Sequence, residues 1–218
     1  SITGFAHERL GWFSPAAMLT RAIPRESWGA ALIDAIGDRY RGKKAFGVKF
    51  SRDGSTYALS GCKLGQRALK GKAAVELIRV GTTAGGAREL AEWLYDRRTA
   101  ASVVVIDGMS GADALIDRLA EMKPPRGYVV RPQTRDVVAA AVGFVDALND
   151  GTLAHTYDPT LEDSARKCVR RKIGSRGGWG FGSPEDATVS PAPLESCSLA
   201  LWGARNTKRN PRRKPRTL

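Results

Sequence analysis

Cysteine and histidine are scarce in this sequence. Its 218 residues hold three cysteines, Cys62, Cys168 and Cys197, widely spaced and with no CxxC pair. That usage argues against a disulfide scaffold or a structural zinc site and suits a reducing compartment. The two histidines are His7 and His155, and neither stands beside a nucleophile motif such as GxSxG. His155, in LAHTYDP, reads as a loop or cap histidine. Long apolar runs are missing too, so no segment approaches the roughly 20 residues that span a bilayer. Ser1 to Leu10 contain His7, Glu8 and Arg9 and no apolar stretch, so no secretory signal is expected. A start without methionine is what a segment excised from a longer chain would give. GGWGFG lacks the lysine and following Ser/Thr of a phosphate-binding P-loop, and GTTAGG lacks GxGxxG spacing.

Acidic residues are also in deficit. Lys and Arg number 35 against 22 Asp and Glu, a net charge of +13 and a pI near 10.1. Such a surface attracts polyanions, and counterion release makes nucleic acid the usual partner. The excess is concentrated at the end. Arg205 to Leu218 holds seven basic residues, no acidic ones, and Pro211 and Pro215. This stretch cannot bury a core, and we expect a disordered arm whose Lys208, Arg209, Arg212, Arg213, Lys214 and Arg216 contact phosphates. The chain is 42% hydrophobic with a mean hydropathy of −0.29, which describes a soluble globular protein.

The order of elements predicts an α/β fold. Residues 1–44 read as a linker and N-terminal helical segment packed on a domain spanning 45–204, and 205–218 as the basic tail. Ala45 to Lys63 reads as a hairpin about the Asp53-Gly54 turn. Ala73 to Gly81 supplies a third strand. A helix follows over Gly86 to Arg98, where Leu90, Trp93 and Leu94 share a face. Ser102 to Asp107 is an apolar run, expected of a strand covered on both sides. Helices are predicted over Gly111 to Met122, over Thr134 to Leu148 with Thr134 as a cap, over Leu161 to Ile173, and from Pro191 to Gly203. Short strands are predicted in GYVVRP and in GSRGGWGFG. A three-stranded meander followed by β-α-β units makes a mixed sheet flanked by helices.

Functional groups on such sheets gather at the carboxyl ends of strands. Asp107 stands there, after Val103 to Ile106 and before Gly108. A carboxylate in that place is a good ligand for Mg²⁺ or Mn²⁺, which prefer oxygen donors. Glu185 and Asp186 form a second acidic cluster before the last helix. A two-metal phosphodiesterase needs carboxylates from separate segments meeting at one point, and Asp107 with Asp186 is the candidate pair.

Several stretches resemble the large terminases of tailed bacteriophages, in particular the actinophage type. FAHERLGWF with IPRESW is similar to the family's linker. AFGVKFSRDGS is similar to its first-strand motif, VVVIDGMSGADALIDRL to its second, and FVDALNDGTLAHTYDPTLEDSARK to the helix pair that follows. GGWGFG and PLESCSLALWGA resemble its C-terminal strand and helix. The matches run in order over nearly the whole chain.

The resemblance implies a ribonuclease-H-like nuclease domain that cuts concatemeric double-stranded DNA during genome packaging with Mg²⁺ or Mn²⁺. The missing Walker motif implies that the ATPase motor of the same terminase lies elsewhere. Portal and small terminase are the other implied partners, in the cytoplasm of an infected bacterium and without a membrane. Of the family's three acidic positions, the second maps onto Asp107. The third maps onto Asp186, with Glu185 as the alternative; local matching on Val189-Ser190-Pro191 would place it at Thr188. The first falls on Lys49, whose ammonium cannot ligate a metal. Asp53 is no substitute, because it suits the hairpin turn. Two readings follow: a metal-dependent endonuclease, and a catalytically weakened DNA-binding module of the same fold.

Overall fold

The computed structural model describes residues 21–174, 177–185 and 189–211. In chain order the elements are α1 (Arg25–Ala30), β1 (Leu32–Ile33), β2 (Lys44–Phe50), β3 (Thr56–Leu64) and β4 (Ala73–Thr82). Next come α2 (Arg88–Asp96), β5 (Val103–Asp107), α3 (Ala112–Glu121), β6 (Val129–Val130) and α4 (Thr134–Asn149). β7 (Leu153–Thr156), α5 (Pro159–Lys167), β8 (Val169–Ile173), β9 (Gly178–Gly182) and α6 (Ala192–Asn206) complete the described chain. Seven strands form one mixed sheet in the order β1-β7-β4-β3-β2-β5-β6, and β8 and β9 form a separate hairpin. β2, β3 and β4 pair antiparallel, while the other neighbours in the sheet pair parallel. This is the expected mixed α/β sheet, with a meander joined to parallel strands.

Side-chain alternation along the two central strands decides what each face holds. On β2 and β5, Val48, Phe50, Val104 and Ile106 turn toward Leu90 and Leu94 of α2 and Leu115 and Leu119 of α3, in one buried cluster. Ala45, Val103 and Val105 turn the other way, into a second cluster with Phe144 of α4 and Leu194, Leu199 and Leu201 of α6. Small and apolar almost throughout, α6 is buried along most of its length. It lies very close to the sheet because Gly47 has no side chain. A Cβ there would sit 2.1 Å from the Ser196 carbonyl oxygen and 2.7 Å from the Ala200 nitrogen. Beside that contact the buried hydroxyls of Ser60 and Ser196 are 2.7 Å apart and share a hydrogen bond.

Three local expectations change. Leu161 to Ile173 is not one helix. α5 begins at an Asp158 cap, whose carboxylate accepts from the Thr160 and Leu161 amides, and stops at extended Cys168. Val169 to Ile173 is strand β8, paired with β9. Residues 153–156 form strand β7, so His155 belongs to the sheet instead of a loop. It is buried, its ring stacked 3.6 Å from that of Trp28 and its Nε2 3.0 Å from the Trp28 carbonyl oxygen. Trp28 in turn donates from Nε1 to Glu162 Oε2 at 2.7 Å. Thr134 is the first residue of α4 instead of its cap. The amide of the preceding Gln133 donates to Asp136 Oδ2 at 2.9 Å.

At the C-terminal end α6 runs through Arg205 to Asn206. Lys43 Nζ donates to the Thr207 carbonyl oxygen at 2.5 Å. The Arg209 guanidinium donates to the carbonyls of Arg98, Ala101 and Ser102 and lies over the Tyr128 ring. Arg212, Arg213, Lys214 and Arg216 fall outside the described residues. None of the described helices is long and apolar enough to cross a membrane.

The contact at Gly47 yields a direct test. Overpacking a tight core costs about 1–3 kcal/mol, so Gly47→Ala is expected to lower unfolding free energy by at least that much in urea titration. An unchanged midpoint would contradict the close approach of α6 to β2.

Candidate active site

The alternation that sorts the core also places two polar side chains. Lys49 and Asp107 continue the rows Ala45-Gly47 and Val103-Val105 to the carboxyl ends of β2 and β5, on the face that α6 covers. Parallel pairing puts them in register, Lys49 opposite Asp107. The Lys49 ammonium lies 2.5 Å from Asp107 Oδ2. It also lies 3.5 Å from Oε2 of Glu195, which projects from the first turn of α6. A carboxylate near a helix N-terminus is favoured by the exposed amides there. Strand, strand and helix therefore supply one group each.

This cluster is poorly hydrated. The side chains of Lys49, Asp107 and Glu195 keep 16%, 21% and 7% of their exposure. Burial by itself would lower the Lys49 pKa, but the Glu195 and Asp107 carboxylates outweigh it and hold the ammonium above its ordinary value. Burial raises the Glu195 carboxyl and the nearby Asp107 adds to the rise, while Lys49 and Arg171 oppose it. Oε1 of Glu195 is buried and accepts no hydrogen bond. The Arg171 guanidinium faces it at 3.9 Å.

Arg171 reaches the site through the β8–β9 hairpin. Gly180 and Gly182 alternate with Trp179 and Phe181 along β9, leaving room for their diagonal neighbours on β8. A Cβ at Gly182 would lie 2.7 Å from that of Arg171, and one at Gly180 would lie 2.5 Å from the Ile173 side chain. Arg170 packs its guanidinium over the Trp179 ring. The hairpin, the β2–β3 turn and the start of α6 enclose a cleft of about 540 Å³, lined by Lys49, Arg52, Met109, Arg171, Ser183 and Glu195 among others. Arg52 and Arg171 are exposed on its walls. An opening of this size with cationic walls can admit a phosphodiester.

The sequence-predicted residues divide clearly. Asp107 lies in the cluster, and Lys49 directly contacts it. Asp186 and Thr188 fall outside the described residues. Glu185 is exposed and does not line the cleft. Asp53 holds its turn, accepting from the Ser51 hydroxyl at 2.7 Å and the Ser55 amide at 3.1 Å. Hydrogen bonds from Ser51 and Ser55 bring its pKa down to about 2. Of the basic positions in the tail, Lys208 is exposed and Arg209 is engaged with backbone carbonyls. Glu195 was not foreseen. Its signal was present, because it is the one charged residue of α6 before Arg205.

The described residues do not fit a pair of divalent ions. Among them no group of three Asp, Glu, His or Cys is placed to hold a metal. The unpartnered Glu195 Oε1 asks for a donor, but Arg171 faces it. Between Asp107 and Glu195 stands an ammonium. At an effective dielectric of about 20, like unit charges roughly 4 Å apart repel by about 4 kcal/mol, and a divalent ion would meet twice that from Lys49.

The raised Lys49 pKa has a signed consequence. A cation whose folded pKa lies above its unfolded one stabilises fully below the unfolded value, and that contribution is lost as pH rises through the folded one. The wild type should therefore lose more stability than Lys49→Met as pH rises past 10.5, the ordinary lysine value. Thermal melts across that range would test it, and parallel curves would contradict the ion pair.

No family model matches the sequence, and no curated protein does. Solved structures do. The HK97 bacteriophage large terminase superposes with a TM-score of 0.61 at 14% identity, over 85% of this chain and 43% of that one. The large terminase nuclease from thermophilic phage G20c with bound magnesium gives 0.55 at 14% identity, over 80% and 93%. The large terminase of another thermophilic bacteriophage, in complex with ADP, gives 0.54 at 12% identity, over 78% and 41%. The chain thus spans less than half of the two longer large terminases and most of the isolated nuclease. It has the ribonuclease-H-like fold of large-terminase nuclease domains.

Proposed function

We propose that this chain is the nuclease-fold domain of a tailed-phage large terminase, and that with Lys49 in place its cleft binds double-stranded DNA more than it cuts. The ammonium between Asp107 and Glu195 carries this reading, because it occupies the point that a catalytic divalent ion would need. The net charge of +13 and the cationic cleft walls support a DNA substrate. The domain, expected over residues 45–204, would widen to take in α1, β1 and the end of α6, with the segment before it leading from an ATPase motor and the basic arm after it. Portal and small terminase are the further partners of such a machine, working in the cytoplasm of an infected bacterium.

In the bound state Arg52 and Arg171 hold phosphates at the mouth of the cleft, and Lys49 neutralises the carboxylates beneath. Without that neutralisation two buried anions would repel the backbone. The fold thereby keeps a DNA-binding surface where the sequence departs from the family's acidic pattern.

A second reading, a two-metal endonuclease using Mg²⁺ or Mn²⁺, is favoured by one observation. Asp107 and Glu195, from distant segments, converge on one point, the Lys49 ammonium.

Plasmid nicking with Mg²⁺ or Mn²⁺ separates the two, run beside DNA binding across a salt series. We expect salt-sensitive binding by the wild type, with Arg171→Ala reducing the salt slope by about one ion. Wild-type nicking should be at least about tenfold below that of Lys49→Asp, or about 1.4 kcal/mol in barrier. Equal nicking rates would favour the second reading. Absence of DNA binding at low salt would defeat both.

A further inference from the structure

We infer that Lys49 is the resident cation of this site: it takes the place of a divalent ion between Asp107 and Glu195, and it keeps such ions out. The inference deepens the DNA-binding reading of the cleft and rests on it only for where the cleft lies.

Three observations converge. The ammonium is positioned by the sheet itself. Lys49 and Asp107 are register partners on parallel strands, so the pair forms whenever β2 and β5 form. The charges also balance without a metal. Two carboxylates, Asp107 and Glu195, meet two cations, Lys49 and Arg171, within 4 Å. An added divalent ion would leave an excess of positive charge in a site whose three central side chains are largely buried. Finally, one oxygen of each carboxylate is already engaged by the ammonium. Asp107 Oδ2 and Glu195 Oε2 both face the ammonium, and Glu195 Oε1 faces Arg171. A lysine in this place therefore does the structural work of an ion, holding strand ends and helix together, while offering none of its Lewis acidity.

Removing the ammonium should convert the cluster into an ion site. Lys49→Met keeps most of the side-chain volume and leaves two carboxylates facing each other, one of them deeply buried. An uncompensated buried charge is strongly destabilising. Ion binding restores stability in proportion to the logarithm of ion concentration over its dissociation constant.

The experiment uses the whole 218-residue chain, with Mn²⁺ as the probe. Melting is followed with chelator and with millimolar Mn²⁺, and free Mn²⁺ is measured by electron paramagnetic resonance. The wild type and Lys49→Arg should melt at the same temperature in both conditions and bind no stoichiometric Mn²⁺. Lys49→Met should melt roughly 5 °C or more lower in chelator, recover with Mn²⁺, and bind about one ion. That binding should vanish in the double variant with Asp107→Asn. If Lys49→Met does not fold, Lys49→Asp takes its place in the same series. Stoichiometric Mn²⁺ binding by the wild type that is lost on Asp107→Asn would overturn the inference. So would a lysine-free variant that binds no Mn²⁺. Because these readouts do not involve DNA, their failure leaves DNA binding by the cleft standing and returns the choice between binding and cutting to the nicking assay, while loss of DNA binding leaves the resident cation standing.

Discussion

The ion pair between Lys49 and Asp107 organises everything around it. It exists because β2 and β5 run parallel in a register that sets these two residues side by side. Glu195 joins from above because α6 packs against the sheet at Gly47, a distance that only glycine permits. A buried carboxylate at the start of α6 would be costly alone, since taking a charge out of water is repaid only by close partners. The ammonium is that partner. The cleft, the hairpin that brings Arg171 and the exposed Arg52 are arranged about a centre that is electrically settled from within.

Much of the fold was legible because its signals are local. The alternation in AFGVKF, the Asp-Gly turn and the apolar run VVVID each point to one structure, and they place Lys49 and Asp107 at strand ends. Amphipathic spacing likewise located α2, and the predicted bounds of α3, α4 and α6 hold to within a few residues. The failures have a common cause, in that long-range pairing overrides local pattern. VRRKI follows a basic helix with no Gly or Pro between them, so it reads as a continuation. It becomes a strand because the glycines of β9 offer a partner with room for its side chains. LAHT is short and contains a histidine, and it is a strand because β1 and β4 flank it.

The candidate site was half legible. Asp107 came from its position at a strand end and the departure at Lys49 from the family resemblance, but their contact depends on strand order, which no short segment encodes. Glu195 was hidden inside a run of small and apolar residues. A lone charge in such a helix signals a buried partner, although that partner lies far away in sequence. The acidic cluster at Glu185 and Asp186 drew attention by density. Of its two members the described one, Glu185, is exposed outside the cleft.

The likeness to large-terminase nucleases fixes the architecture, and the chemistry must be read from the residues that occupy it. A crystal structure grown with Mn²⁺ and phased on its anomalous signal tests the central claim most directly. Nζ of Lys49 is expected between Asp107 and Glu195, with no anomalous peak beside it. A strong peak bridging those two carboxylates, with the lysine turned away, would contradict it.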